Sequence, residues 1–198
     1  LTPECFAEAV GRVMQSEPVS AARPHAVLAM ARLAQAGYGE WVMDDLEERG
    51  DEACNAVFAS PSREAAFELV VALHVRSRQS LLAPVYSPLA FRTSAWKAAT
   101  NALAEAWGGG QEGPHSRGNA GKRPLAPEVV HSLLLPATAM HCLVRAGSIP
   151  CGANAYSSRE EKEAVTSALI QLLPLLPDQS PLSSWICRTR GPCCGKGS

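Results

Sequence analysis

Apolar residues recur at three- and four-residue spacing along most of this chain, and glycine or proline cuts each run short. That period builds helices with one buried stripe, and helices of modest length persist only when such stripes pack against one another. Composition points the same way. Alanine occurs 32 times in 198 residues, whereas aromatic residues make up 6% and β-branched residues rarely cluster. Alanine is the best helix former and strands draw on β-branched and aromatic runs, so the expected class is all-α. With 46% apolar residues, 19% charged residues and a formal net charge of −1, the chain is neither wholly disordered nor a generally basic nucleic-acid binder. Its length suits one compact domain or one slice of a repeat array.

The helices can be placed by their start and stop signals. Thr2, Pro3 and Glu4 open a first helix carrying Phe6, Val10, Val13 and Met14 up to Ser16. A second runs from Ser20 through Val27, Met30 and Leu33 to Gly37, where a left-handed cap is expected. A short third helix, Gly39 to Arg49, has Trp41, Val42 and Leu46 as its apolar residues and Asp44, Asp45, Glu47 and Glu48 facing water. Gly50 closes it and Asp51 caps a fourth through Phe58. Ser60 and Pro61 open a helix through Val75, and Phe91 to Ala106 forms a long one ended by Gly108, Gly109 and Gly110.

Residues 108–126 hold six glycines, two prolines, Arg117, Lys122 and Arg123 against the single acid Glu112, the composition of a flexible basic loop. Pro127 and Glu128 restart a helix through Val144 that should kink near Pro136, and Ser157 and Ser158 cap the last, which carries Val165, Leu169, Leu172 and Leu173. The expected organisation is a helical domain over 1–178 and a basic, irregular tail over 179–198.

Two of these helices share a motif. Ala29, Met30, Leu33, Ala36 and Gly37 match Ala139, Met140, Leu143, Ala146 and Gly147, five identities in nine positions, 110 residues apart. Weaker echoes at Ala66, Phe67, Val70, Leu73 and at Ala99, Thr100, Leu103, Ala106 give spacings of 37, 33 and 40 residues. A unit of that size is an antiparallel helix pair, and stacked pairs make a short α-solenoid; an irregular helical bundle is the alternative. The stretch Arg23-Pro24-His25-Ala26-Val27-Leu28-Ala29-Met30-Ala31-Arg32-Leu33-Ala34-Gln35-Ala36-Gly37, followed by Trp41, Val42 and Leu46, resembles the octotricopeptide, heptatricopeptide and FAST-kinase-like repeats. The resemblance implies an organellar α-solenoid that handles RNA or builds a divergent mitochondrial ribosome. Two departures, the slightly acidic chain and the lack of a RAP-type terminal domain in it, favour a partner-bound scaffold over a free RNA reader.

Chemistry has little to stand on. The chain carries no Lys-Ser or Lys-Thr phosphate loop, no His-Glu-x-x-His, no Gly-x-Ser-x-Gly and no Cys-x-x-Cys. Cys187, Cys193 and Cys194, with Cys151, His141 or Cys142 as a fourth ligand, lack the usual zinc spacing. His131 and His141 stand ten residues apart, about 80° out of alignment on a helix, and adjacent His141 and Cys142 point about 100° apart, so neither pair converges. The expectation is therefore no enzyme, no metal and no cofactor.

The basic residues Arg117, Lys122, Arg123, Arg188, Arg190 and Lys196 are the candidates for phosphate contact, with solvated loops as the plain alternative. Trp185 and Ile186 are the candidate protein anchor, because an exposed tryptophan is costly without a partner.

Seven scattered cysteines argue against a disulfide framework and for a reducing compartment. The longest apolar runs contain Pro136 and Pro174 and fall short of the ~20 residues that span a bilayer, so no membrane insertion is expected. The chain opens on Leu1, as it would after removal of a leader or within a longer product. These readings converge on a non-enzymatic component of an organellar ribonucleoprotein, concretely a mitochondrial ribosomal protein of the matrix that touches rRNA and neighbouring subunits. The alternative is a protein-only scaffold or accessory subunit, mitochondrial or cytoplasmic. Neither takes a small-molecule substrate.

Overall fold

The computed structural model describes residues 5, 8, 22–59, 61–79, 87–108, 127–146, 159–176 and 180–189. The expected helix from Thr2 to Ser16 lies outside them apart from Cys5 and Glu8, as does the basic loop beyond Gly108. Among the described residues the regular elements are all helical. They are α1 (Arg23–Leu33), a π-helical turn (Ala34–Tyr38), α2 (Gly39–Val57), α3 (Arg63–Gln79), α4 (Leu89–Gly108), α5 (Pro127–Arg145), α6 (Arg159–Leu172), a 3-10 turn (Leu173–Leu175) and α7 (Ser180–Thr189).

Backbone chemistry explains the breaks. Gly37, at φ 113°, turns the chain out of α1 in the left-handed region that glycine adopts freely. Gly50, at φ 81° and ψ −172°, divides α2 into the two short helices expected on either side of it. At Gly39 the need is space: a Cβ there would sit 3.1 Å from Leu73 Cδ2, so α2 and α3 meet at the chain's smallest residue.

Helix α3 starts two residues later than Pro61 would place it. Ser62 is buried in the preceding turn, its hydroxyl donates to the Ala59 carbonyl at 2.9 Å, and its own carbonyl accepts from the Ala66 N–H at 2.9 Å. Helix α5 continues through Pro136, which lacks the N–H that would have bonded the Ser132 carbonyl.

The tail differs most from expectation. Residues 180–189 are not irregular but form α7, which buries Leu182, Trp185 and Ile186 at positions i, i+3 and i+4.

These helices stack in two layers. α1, α3, α5 and α7 pack in succession as one layer, α2, α4 and α6 as the other, and the pairs α1–α2, α3–α4 and α5–α6 meet between the layers. The α3–α4 pair is antiparallel, since Arg63 at the start of α3 lies 3.2 Å from Glu105 in the last turn of α4. The fold is thus all-α, with helix pairs set side by side.

Met30, Phe67 and Met140, the matched motif positions, are each buried on a first-layer helix. The echo at Ala99 and Leu103 is buried too, but it lies on α4 in the second layer, so the 37-residue period does not run unbroken. Core positions on facing helices share one spacing, and an alanine-rich chain repeats it on both layers.

Helix α4 lies at the centre, packed against α2, α3, α5 and α6. Its buried Ala95, Ala98 and Ala99 let neighbours approach closely, while Trp96, 1% exposed, fills the space towards α7. There the Trp96 and Trp185 rings meet edge to face, with centroids 5.1 Å apart and planes at 73°.

Candidate interaction surface

Of the residues expected to contact RNA, Arg117, Lys122, Arg123, Arg190 and Lys196 lie outside the described residues, and Arg188 is placed on α7. The expected protein anchor requires correction. Trp185 and Ile186 are 6% and 4% exposed and belong to the chain's own core, where Trp185 packs on Trp96, so they are not surface for a partner. A tryptophan that looks unpartnered along the sequence has found its partner 89 positions upstream, on a helix the local pattern does not connect to it.

The buried thiols and imidazoles are poor candidates for catalysis. Burial pushes the Cys142 thiol up to about 12, so it carries its proton at neutral pH and is no nucleophile. Burial and then the nearby Asp51 carboxylate also raise Cys54, whose Sγ lies 3.8 Å from the Leu46 carbonyl oxygen. His74 on α3 is held below the usual histidine range by burial, then by Arg145 and His141 on α5. Among the described residues no three His, Cys, Asp or Glu side chains gather as metal ligands, and no helix is long and apolar enough to cross a membrane. The side chains of Cys151, Cys187, Cys193 and Cys194 are not among those described.

The described surface is most distinctive at α2. This helix carries Glu40, Asp44, Asp45, Glu47, Glu48, Asp51 and Glu52, seven of the chain's 19 acidic residues, against Arg49 alone. Arg49 is committed to Asp45: its Nε and Nη2 each donate to a carboxylate oxygen at 2.8 Å, and that bond raises the guanidinium pKa further. A bidentate pair of this kind holds both charges in place, and with Glu48 also close enough to act on the guanidinium, seven acids still face a single cation on α2. At the helix start Trp41, 42% exposed, leans on Tyr38 with ring centroids 5.2 Å apart.

Beside this acidic face a groove of about 520 Å³ opens between α2 and the first half of α4. Leu46, Glu47, Asp51, Cys54 and Asn55 line it from α2, and Leu89, Ala90, Thr93, Ser94 and Lys97 from α4. The Ser94 hydroxyl donates to Asn55 Oδ1, tying the two walls together. Cys54 and Leu46 are fully buried beneath the groove, whereas Leu89 stands 65% exposed on its rim.

The Gly50 break redirects the second half of α2 along α4, which places Asn55 beside Ser94 and Phe58 against Phe91, ring centroids 5.1 Å apart. The sequence identifies the acids as water-facing. It does not identify the groove, whose walls lie about forty residues apart and meet only through packing.

Comparison with known protein families, curated proteins and solved structures returns no match.

Proposed function

We propose that this chain is a non-enzymatic helical-repeat scaffold, a structural subunit of a larger assembly that holds partner proteins on the outward faces of its stacked helix pairs. The observation that carries the reading is α2: a core helix on one side, and on the other an exposed face on which seven acids outnumber one cation, with Trp41 at its start. A face of that charge repels polyphosphate and suits a protein partner. The protonated state of Cys142 supports a structural role for that thiol.

A second reading rests on the basic residues Arg117, Lys122, Arg123, Arg188, Arg190 and Lys196. Set among glycines and prolines, they supply phosphate contacts without sequence preference, which suits rRNA in an organellar ribonucleoprotein such as a mitochondrial ribosome. In that form the same scaffold uses α2 for protein and the basic segments for RNA, and the repeat resemblance supports a matrix location.

Purification of the tagged chain from its own cells, followed by sedimentation with and without ribonuclease, tests both. Co-sedimentation with other proteins that survives ribonuclease supports the protein scaffold. Collapse on ribonuclease supports the ribonucleoprotein, and migration as a lone 21.0 kDa chain overturns both.

A further inference from the structure

The groove between α2 and α4 combines two properties that select its occupant. It presents an apolar side chain to water, Leu89 at 65% exposure, above a floor made by Leu46 and Cys54. Its α2 wall is anionic through Glu47 and Asp51, and the one α2 cation, Arg49, forms its bidentate pair with Asp45. Among the described residues Lys97 is the only cation lining the groove, on the α4 wall.

We propose that this groove binds a lysine- or arginine-bearing segment of a partner protein whose apolar side chain covers Leu89. The inference rests on the scaffold reading and specifies the chemistry of the partner.

Charge and shape argue against other occupants. Nucleic acid meets Glu47 and Asp51 with like charge, and the rest of α2, whose other five acids face Arg49 alone, adds to the same field. The groove is partly open to solvent, with its walls held together by the Ser94–Asn55 bond and the Phe58–Phe91 contact, so it suits a strip of chain rather than an enclosed small molecule. A short extended segment can place cations beside Glu47 and Asp51 and one aliphatic side chain over Leu89.

Fluorescence anisotropy with a labelled six-residue peptide of alternating lysine and leucine tests the assignment, with lysine–serine and glutamate–leucine peptides as controls. The full chain should bind the lysine–leucine probe saturably and both controls more weakly. Glu47→Lys combined with Asp51→Lys should weaken binding about tenfold or more, as should Leu89→Ser. The pair Glu160→Lys and Glu161→Lys on α6, which changes net charge equally, should alter it by no more than about twofold.

Glu47, Asp51, Leu89 and Glu160 are exposed and Glu161 is half-buried, all of them outside the core; if the charge-reversed variant nevertheless unfolds, Glu47→Gln with Asp51→Asn gives the same comparison. Absence of saturable binding, equal binding of the lysine–serine peptide, or equal weakening by the α6 pair overturns the groove assignment. If any of these occurs while the chain still co-sediments with partner proteins, the scaffold reading stands and the groove alone is withdrawn.

Discussion

Single residues set several properties that can be measured in isolation. Gly50 occupies φ 81° and ψ −172°, a region an L side chain adopts only under strain, yet a Cβ there would meet nothing within 4 Å. The cost of Gly50→Ala is therefore purely conformational, about 1–3 kcal/mol, and should appear as a lowered urea midpoint with an unchanged slope. Gly39→Ala poses the opposite problem, since its backbone is helical and only the flexible end of Leu73 is in the way.

At His74 the sign of the pH dependence follows from its environment. Burial, Arg145 and His141 hold the folded imidazole below its ordinary value, so the unfolded chain takes up a proton from about pH 6.5 downward while the folded one resists. The stability tied to neutral His74 is present above that pH and is lost as the pH falls towards the folded value. His74→Gln should thus lose less stability than the wild type between pH 7.5 and 5.5 in parallel urea titrations, and an equal loss in both would refute the argument. Cys142, held protonated, should stay unlabelled by iodoacetamide at pH 8 until denaturant is added, as peptide mass spectrometry can read.

At the scale of elements, the decisive case is α7. Its Leu182, Trp185 and Ile186 are all buried, and Trp185 closes against the largest core residue of α4. Trp185→Ala should destabilise the isolated chain by about 3–5 kcal/mol, read from chemical denaturation with no partner present. An unchanged midpoint would return Trp185 to the role of an anchor for another protein.

This element also marks where the sequence is legible and where it is not. The i, i+3, i+4 spacing of Leu182, Trp185 and Ile186 behind Ser180 and Pro181 is a helix signal, but the flanking glycines, prolines and arginines hide a stripe only ten residues long. Longer helices such as α4 and α5 declare themselves through many repeats of the period, and Gly37 and Gly50 mark the end of α1 and the break in α2 because only backbone freedom suits those positions. Pairwise geometry is not local: nothing near Ser94 indicates that its hydroxyl will bond Asn55, or that Leu89 will be left exposed above a groove. The acids of α2 are visible as charge, whereas their meaning depends on what α4 places beside them.

Taken as a whole, the molecule is a stack in which each helix packs chiefly on its neighbours in sequence and next-but-one. In such an array stability is close to a sum of units and their interfaces, so damage at one end need not reach the other. An irregular bundle around one shared centre behaves differently, losing protection everywhere at once. The two can be separated with paired truncations at opposite ends. Val27 on α1 and Leu169 on α6 are both fully buried, and each replaced by alanine leaves a cavity of similar kind.

Native-state hydrogen exchange on Val27→Ala should lower protection in α1, α2 and α3 while sparing α6; Leu169→Ala should do the reverse, with α4 affected by both because it touches α2 and α6 alike. Uniform loss of protection in either variant would mean that the layers fold as one cooperative unit. The outcome bears on function as well as on folding. A stack that opens from its ends leaves α4 as the stable spine, and the groove that α4 forms with α2 would then be held on one firm wall and one adjustable one. A partner segment seated there should rigidify α2, raising exchange protection across Gly39–Val57 when the lysine–leucine probe is bound.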